Sequence, residues 1–357
     1  MKKNRQVVLV CVAILAIIVC FFVAKMCANA HISGEKRLKI GFVIALTGED
    51  ASAGKPIANT IEILREKYRN VDFFIEDSKS TASAGVNAAN KLLSIEDVDL
   101  LYCDLSNVAS ALVPLTEKHN KLFMATVFLQ DFISQGRYTI RNFMTIESQA
   151  RAALPRVKDI LPLAQTAAIA VSNDEVGRAS IVGFNNALKE TSYKNINTYH
   201  FDADSIKAVA AAAAKSRADF MYVSSFTATL GRFIKELHYN GYKGQIVTST
   251  ALTFPFIRDA AGDAVHGVLH MDFPKTEKYE EVRNDYIKRF GENPPLTVFL
   301  CFDGVSMFVD AYMQTANGTN DEVLEKLEGM QYDGSYGVLN VKGREIIYPL
   351  ITVLEPK

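Results

Sequence analysis

Hydrophobic positions along the chain gather into short β-branched runs separated by segments of helical period. Runs at 38–46 (LKIGFVIAL), 71–77 (VDFFIED), 98–103 (VDLLYC), 121–127 (KLFMATV), 166–172 (TAAIAVS), 195–201 (NINTYHF), 218–224 (ADFMYVS) and 244–250 (GQIVTST) predict strands. Helical patterns lie between them, as in KPIANTIEIL after the first run, 107–119, 206–215 and 230–239. The first run is apolar on both faces, as a parallel strand covered by helices must be. Strands that alternate with helices predict an α/β protein built on doubly wound parallel sheets. The rhythm breaks twice. At 138–155 the strand-like TIRNFMT has no regular helix before it, and at 266–274 the stretch HGVLHMDFP is followed by three helices. Each break predicts a passage from one lobe to another.

The first thirty residues follow a different pattern. Lys2, Lys3 and Arg5 form a positive start, Val7 to Ala24 is an uncharged apolar run of 18 residues, and Ala28-Asn29-Ala30 has the small-x-small form of a signal-peptidase site. A cleaved export signal over 1–30 is the first expectation. The run also has nearly the length that spans a bilayer, so an uncleaved signal anchor is the alternative. Lipidation at Cys27 is a third, although Ala24-Lys25-Met26 matches the required context poorly.

Composition adds to this picture once the leader is set aside. The leader holds four of the 39 Lys and Arg and none of the 40 Asp and Glu, which leaves 35 basic against 40 acidic residues, a net charge of −5. No basic stripe is present, so nucleic acid is not an expected partner. The remaining chain is long enough for two ordinary domains. Cys103 and Cys301 are the cysteines outside the leader; export would allow them to pair, with two small buried residues as the alternative.

Several enzymatic readings fail on the residues. Gly48 to Lys55 resembles a phosphate loop, yet five residues separate its glycines instead of four, and Pro56 stands where a Mg²⁺-binding hydroxyl is needed. A turn into a helix with Pro56 in the first turn accounts for it better. Neither G-x-G-x-x-G nor G-x-S-x-G occurs after a strand. His266 and His270 have no recognisable third ligand, and Glu76-Asp77 and Asp174-Glu175 fit solvated loop rims. No catalytic group and no cofactor or metal is expected.

Leu46-Thr47-Gly48, followed by Gly54 and a helix directly after the first strand, resembles the opening of the leucine/isoleucine/valine-binding protein family of periplasmic solute-binding proteins. Further segments are similar to that family: RNFMT, GVLHMDFP and YGVLNVKGRE at three crossings, RFGENPP, VFLCFDGVSMFVDAY, and the closing YPLITVLE. The resemblance implies a type I periplasmic binding protein fold, with two doubly wound parallel-sheet lobes joined by three crossing segments. Lobe 1 is then expected at 38–144 with 272–335, and lobe 2 at 145–271 with 336–357. It also implies a periplasmic protein that captures a small carboxylate, amide or amino-acid-like solute and delivers it to an inner-membrane ABC permease. A ligand-sensing domain of a membrane-anchored signalling system is the alternative, and an amidase or hydrolase the third reading.

The resemblance also places a site. A Ser after the third strand binds the ligand carboxylate in this family, and LYCDLSNVASAL puts Ser106 there, followed by Asn107. Amides at a helix start favour an anion. Ser106 or Asn107 capping the helix is the structural alternative. In the loop after strand 121–127, Phe128 and Leu129 replace the small residue and Thr of amino-acid binders. In the opposite lobe, Phe226 or its neighbour Thr227 corresponds to an aromatic that covers the ligand, and a second aromatic position falls near Val176. Thr250 stands where such binders place the acid that pairs with the ligand ammonium. A buried ammonium without a counter-charge costs several kcal/mol. The expectation is therefore a carboxylate, amide or aromatic acid with an apolar body, unless Asp104 supplies the charge.

Overall fold

A computed structural model describes residues 37–315 and 318–356; the leader expected over 1–30 lies outside the described residues. The chain begins β1 (Leu38–Ile44), α1 (Ala51–Lys67), β2 (Val71–Asp77), α2 (Ala82–Ser94), β3 (Leu100–Cys103), α3 (Ser106–Lys118), β4 (Leu122–Ala125) and β5 (Thr139–Arg141). It continues with α4 (Ile146–Ile160), β6 (Thr166–Ser172), α5 (Glu175–Leu188), β7 (Lys194–Phe201), α6 (Ile206–Ala213), β8 (Phe220–Ser224), α7 (Ala228–Tyr239), β9 (Gln245–Thr248), α8 (Pro255–Ala261) and β10 (Leu269–Asp272). The last elements are α9 (Glu277–Phe290), α10 (Leu296–Gln314), α11 (Asn320–Leu327), β11 (Gln331–Gly334), β12 (Gly337–Lys342), β13 (Glu345–Ile347) and β14 (Ile351–Leu354).

These strands form two sheets. One has the order β11-β12-β13-β5-β4-β3-β1-β2 and the other β14-β10-β9-β8-β6-β7. Ladders β1–β3, β3–β4, β4–β5, β6–β7, β6–β8, β8–β9 and β9–β10 are parallel, as strand–helix alternation requires. The first lobe buries Val43, Leu101 and Phe123 against α2 and α3, and α1 packs against α10. The second buries one face around Val223 and Phe233 and the other around Ile169 and Phe184. Among the described residues only α10 is long and apolar enough to cross a membrane; 83% of its apolar window is buried, which is the position of a core helix.

The lobes are dominated by parallel pairing as expected, with antiparallel pairs β11–β12, β12–β13 and β10–β14 toward the sheet edges. Two expectations are corrected here. The passage expected at Tyr336 falls later: β12 and β13 stay in the first sheet, where Glu345 pairs with Arg141 of β5, and the chain changes sheets between β13 and β14. The cause is local. Lys342 opposes Glu345 across Gly343 (φ 56°) and Arg344 (φ 67°), both left-handed, which is the geometry of a two-residue hairpin turn. The chain therefore folds back on the sheet it is in. Pro56 also differs from expectation: α1 starts at Ala51, so Pro56 sits in the second turn.

Close packing fixes the entry into α1, which sets the first loop at the carboxyl edge of the sheet. A Cβ on Gly54 would stand 2.0 Å from the Ala45 carbonyl oxygen. Gly54→Ala is expected to lose about 1–3 kcal/mol of stability in urea unfolding, the usual cost of overpacking. Unchanged stability would mean that α1 can slide along β1.

Candidate functional site

The carboxyl ends of β1, β3 and β4 in one lobe and of β6, β8 and β9 in the other carry the loops on which open α/β sheets bind ligands. In the first lobe β3 ends at the buried Cys103, and α3 begins at Ser106. Leu105 occupies the cap position and supplies no side-chain acceptor. The capping alternative is thus not what Ser106 does: it is the first helical residue, half-buried, and its hydroxyl bonds no described residue. Asn107 is exposed, and its Oδ1 accepts the Val108 N–H at 2.9 Å. The helix start therefore keeps a free hydroxyl and the N–H groups of Ser106 and Asn107, which no side chain caps, the arrangement that receives an anion.

Phe128 and Phe226 meet from opposite lobes. Phe128 follows β4, Phe226 follows β8, and their rings stack with centroids 5.3 Å apart at an interplanar angle of 4°. Phe143, on the first crossing, and Phe254, after β9, both make T-shaped contacts with Phe226, at 6.5 and 6.4 Å. Phe128 packs against core residues of both lobes. Such ring pairs contribute about 0.5–1.5 kcal/mol beyond area burial, so the stack helps hold the lobes together while remaining weak enough to part.

The other residues singled out from sequence do different work. Leu129 is 6% exposed and belongs to the first lobe's core, while its carbonyl accepts from Arg141 at 2.9 Å. Thr227 is exposed and caps α7 through the Thr229 N–H. Thr250 is fully buried, and its N–H and hydroxyl both donate to Gln149 Oε1, at 3.0 and 2.9 Å. Sequence reasoning missed Gln149, and no local pattern points to a partner so far away along the chain. Val176 lies in α5, whose cap Asp174 accepts the Gly177 N–H.

Asp104 stands at the end of β3. Its backbone leaves the residue half-buried, but both carboxyl oxygens are out of reach of solvent and have no hydrogen-bond partner. Burial pushes its carboxyl up to about 7, with the charge of Asp50 adding to the effect. Cys103 and Cys301 are free, buried thiols, both pushed above the ordinary range by burial. His270 is buried on β10, with Nε2 2.8 Å from Glu355 Oε1. Among the described residues no three metal-ligating side chains cluster.

A buried polar network ties this edge to the crossings. The Tyr102 and Thr126 hydroxyls lie 2.7 Å apart; Asn142 Nδ2 donates to Thr126 Oγ1 at 3.3 Å and to the Leu300 carbonyl at 2.9 Å. Tyr348 donates its hydroxyl to Asn142 Oδ1 at 2.7 Å. Phe273, on the second crossing, meets the Tyr348 ring edge-on at 6.2 Å. Tyr348 of the third crossing therefore touches the first through Asn142 and the second through Phe273.

Two α/β lobes of this topology, linked by three crossings and facing each other across their strand ends, define a binding protein of the two-lobed type I class. The family model for periplasmic binding proteins matches residues 37–345, and the chain belongs to that family. No curated protein sequence matches it. Similar solved structures include a solute-binding protein of an ABC transporter from Rhodopseudomonas palustris BisB5 in complex with 3,4-dihydroxybenzoic acid, at 17% identity and TM-score 0.74, covering 89% of this chain and 92% of that one. A leucine-binding protein, LivK, from Thermotoga maritima is also 17% identical, with TM-score 0.74, covering 90% and 96%. A branched-chain amino-acid binding protein, LivJ, from Streptococcus pneumoniae in complex with isoleucine is 15% identical, with TM-score 0.74, covering 90% and 97%.

Proposed function

We propose that the protein is an extracytoplasmic solute receptor. It captures a small carboxylate with an apolar or aromatic body between its lobes and delivers it to an ABC permease, and it catalyses nothing. The observation that carries this reading is the pairing of an uncapped helix start at Ser106 with the cross-lobe Phe128–Phe226 stack. The first supplies partial positive charge to a carboxylate; the second supplies apolar faces for the rest of the solute. The rings part to admit the solute and close over it, so binding favours the closed form, which alone touches the ligand from both sides. Thr250, buried and engaged by Gln149, offers no carboxylate to an ammonium, which favours a carboxylate over a zwitterion at this site. The bound benzoate of the Rhodopseudomonas protein is in keeping with that choice, and the isoleucine of the Streptococcus protein is the competing case.

Calorimetry on 3,4-dihydroxybenzoate, 4-methylpentanoate and leucine separates them. The two carboxylates are expected to bind, with 4-methylpentanoate tighter than leucine. Ser106→Ala should weaken the carboxylates by about 1–3 kcal/mol, the worth of a charge-assisted hydrogen bond. Tighter binding of leucine, or affinities indifferent to Ser106→Ala, would overturn the carboxylate reading.

A further inference from the structure

An acid without a partner stands beside the start of α3. β1 and β3 are neighbours in the first sheet, so the loops that follow them lie side by side at its carboxyl edge, with Asp50 on one and Asp104 on the other. Asp50 is exposed, whereas both Asp104 carboxyl oxygens are closed off from solvent and accept no hydrogen bond from another described residue. Two residues further on, α3 begins at Ser106.

The surroundings of Asp104 hold nothing that favours a charge. The titratable groups around it are Asp50 at the start of α1, Tyr102 and Cys103 on β3, and Cys301 on α10, and no cation is among them. Only its own backbone N–H acts in favour of the carboxylate. A buried carboxylate ordinarily keeps a cation or several donors, so this one rests in its place as the neutral acid. Burial, and then the charge of Asp50, hold it up to about 7. A solute carboxylate received at the α3 start brings a second full negative charge to the same loop. Two carboxylates that share a site with no cation between them cannot both stay ionised, and the solute is the stronger acid.

We propose that Asp104 makes solute capture proton-linked: the Ser106 edge holds its carboxylate only while Asp104 is neutral, and an ionised Asp104 takes up a proton as the solute binds. The proton comes from solvent and stays on the Asp104 carboxyl, while the solute remains an anion. This rests on the carboxylate reading of the Ser106 edge and adds its regulation. Such a receptor holds its solute best in a mildly acidic medium and gives it up as the pH rises. The other carboxyl raised by burial, Asp303, is engaged by the Ser335 N–H and hydroxyl and has Lys67 and Lys278 near it, so its charge is matched within the fold.

The probe is 4-methylpentanoate, which stays ionised from pH about 5.5 to about 8.5, with the uncharged 4-methylpentanamide as control. Calorimetry on the unmodified protein should show the acid binding about thirtyfold more weakly at the upper pH than at the lower, as expected of tenfold per unit above the Asp104 value of about 7. The amide should bind equally well at both. Titrations in phosphate and in Tris, which differ in ionisation enthalpy, should report uptake of more than about half a proton per solute at pH about 8 and almost none at about 5.5. Asp104→Asn should flatten the profile of the acid, with affinity like that of the parent protein at the lower pH and tighter at the upper. Binding of the acid that is indifferent to pH, without proton uptake, would overturn this proposal and leave the solute reading in place. An Asp104→Asn protein that keeps the parent's slope would do the same, since the proton then belongs to another group, and so would a fall shared by the amide. Failure of the acid to bind at either pH would overturn both. If Asp104→Asn does not fold, proton uptake by the unmodified protein and the amide control decide the matter.

Discussion

Asn142→Leu is expected to lower the unfolding free energy by about 2–4 kcal/mol, because one side chain of similar size would remove three buried hydrogen bonds at once. Asn142 is fully buried at the first crossing, where it donates to the Leu300 carbonyl and to Thr126 and accepts from Tyr348. Leucine can do none of this. Three bonds would be lost in a place water does not reach, at about 0.5–1.5 kcal/mol apiece, and the Tyr348 hydroxyl would be left with only the Leu300 carbonyl, at 3.5 Å. Tyr348→Phe removes one end of the same network and should cost only about 1 kcal/mol, since Asn142 keeps its two donated bonds. Gly304 reports the same contact from the other side: a Cβ there would lie 2.5 Å from Asn142 Nδ2. Urea unfolding of the two single variants and the double variant measures the coupling between residues of neighbouring crossings. An Asn142→Leu protein within 1 kcal/mol of the parent would mean that the crossings are not held by this network.

The parallel parts of both sheets were legible because a buried strand between two helices has few other readings: the runs at 71–77 and 166–172 match β2 and β6 residue for residue. The hairpins were not. β11 to β13 are short, with buried and exposed positions interleaved, and YGVLNVKGRE reads as a crossing because its turn glycine and arginine do not announce their left-handed backbone. At the site, alternation carried more information than was drawn from it. Val127 and Leu129 point into the first lobe's core, so Phe128 between them points out, toward Phe226. Thr250 failed for a different reason. Its partner Gln149 is 101 residues away, and a contact of that kind is set by how two elements pack, which no local pattern encodes. Asp104 is an intermediate case: a charged residue two places after Tyr102 shares its side of the strand, the side that faces α10, and burial followed from that parity.

Stability is expected to fall as pH rises from about 5 to about 8, and Asp104→Asn to remove most of that fall. Burial holds the Asp104 carboxyl up to about 7 against an ordinary value of 3.8, and Asp303, buried on α10, up to about 6. Between those values the folded protein binds protons that the unfolded chain has released, so raising the pH favours unfolding. The loss begins above the unfolded value and is complete once the pH passes the folded one. The rise from 3.8 to about 7 corresponds to about 4 kcal/mol for Asp104, the upper limit if water reaches the carboxyl on ionisation. Asp303 contributes less per unit of burial, because the Ser335 N–H and hydroxyl donate to it at 2.7 and 2.9 Å and favour its charge. Asparagine at 104 keeps the shape without the charge, and its amide is unpaired as the neutral carboxyl is, so that cost is common to both proteins. The two stability curves should therefore lie close together at pH about 5 and part by pH about 8, where the Asp104→Asn protein is the more stable. Urea unfolding at those two values tests this. Parallel curves would show that the Asp104 carboxylate is ionised throughout and has a partner, in which case a cation or a donor held at the end of β3 would have to be found.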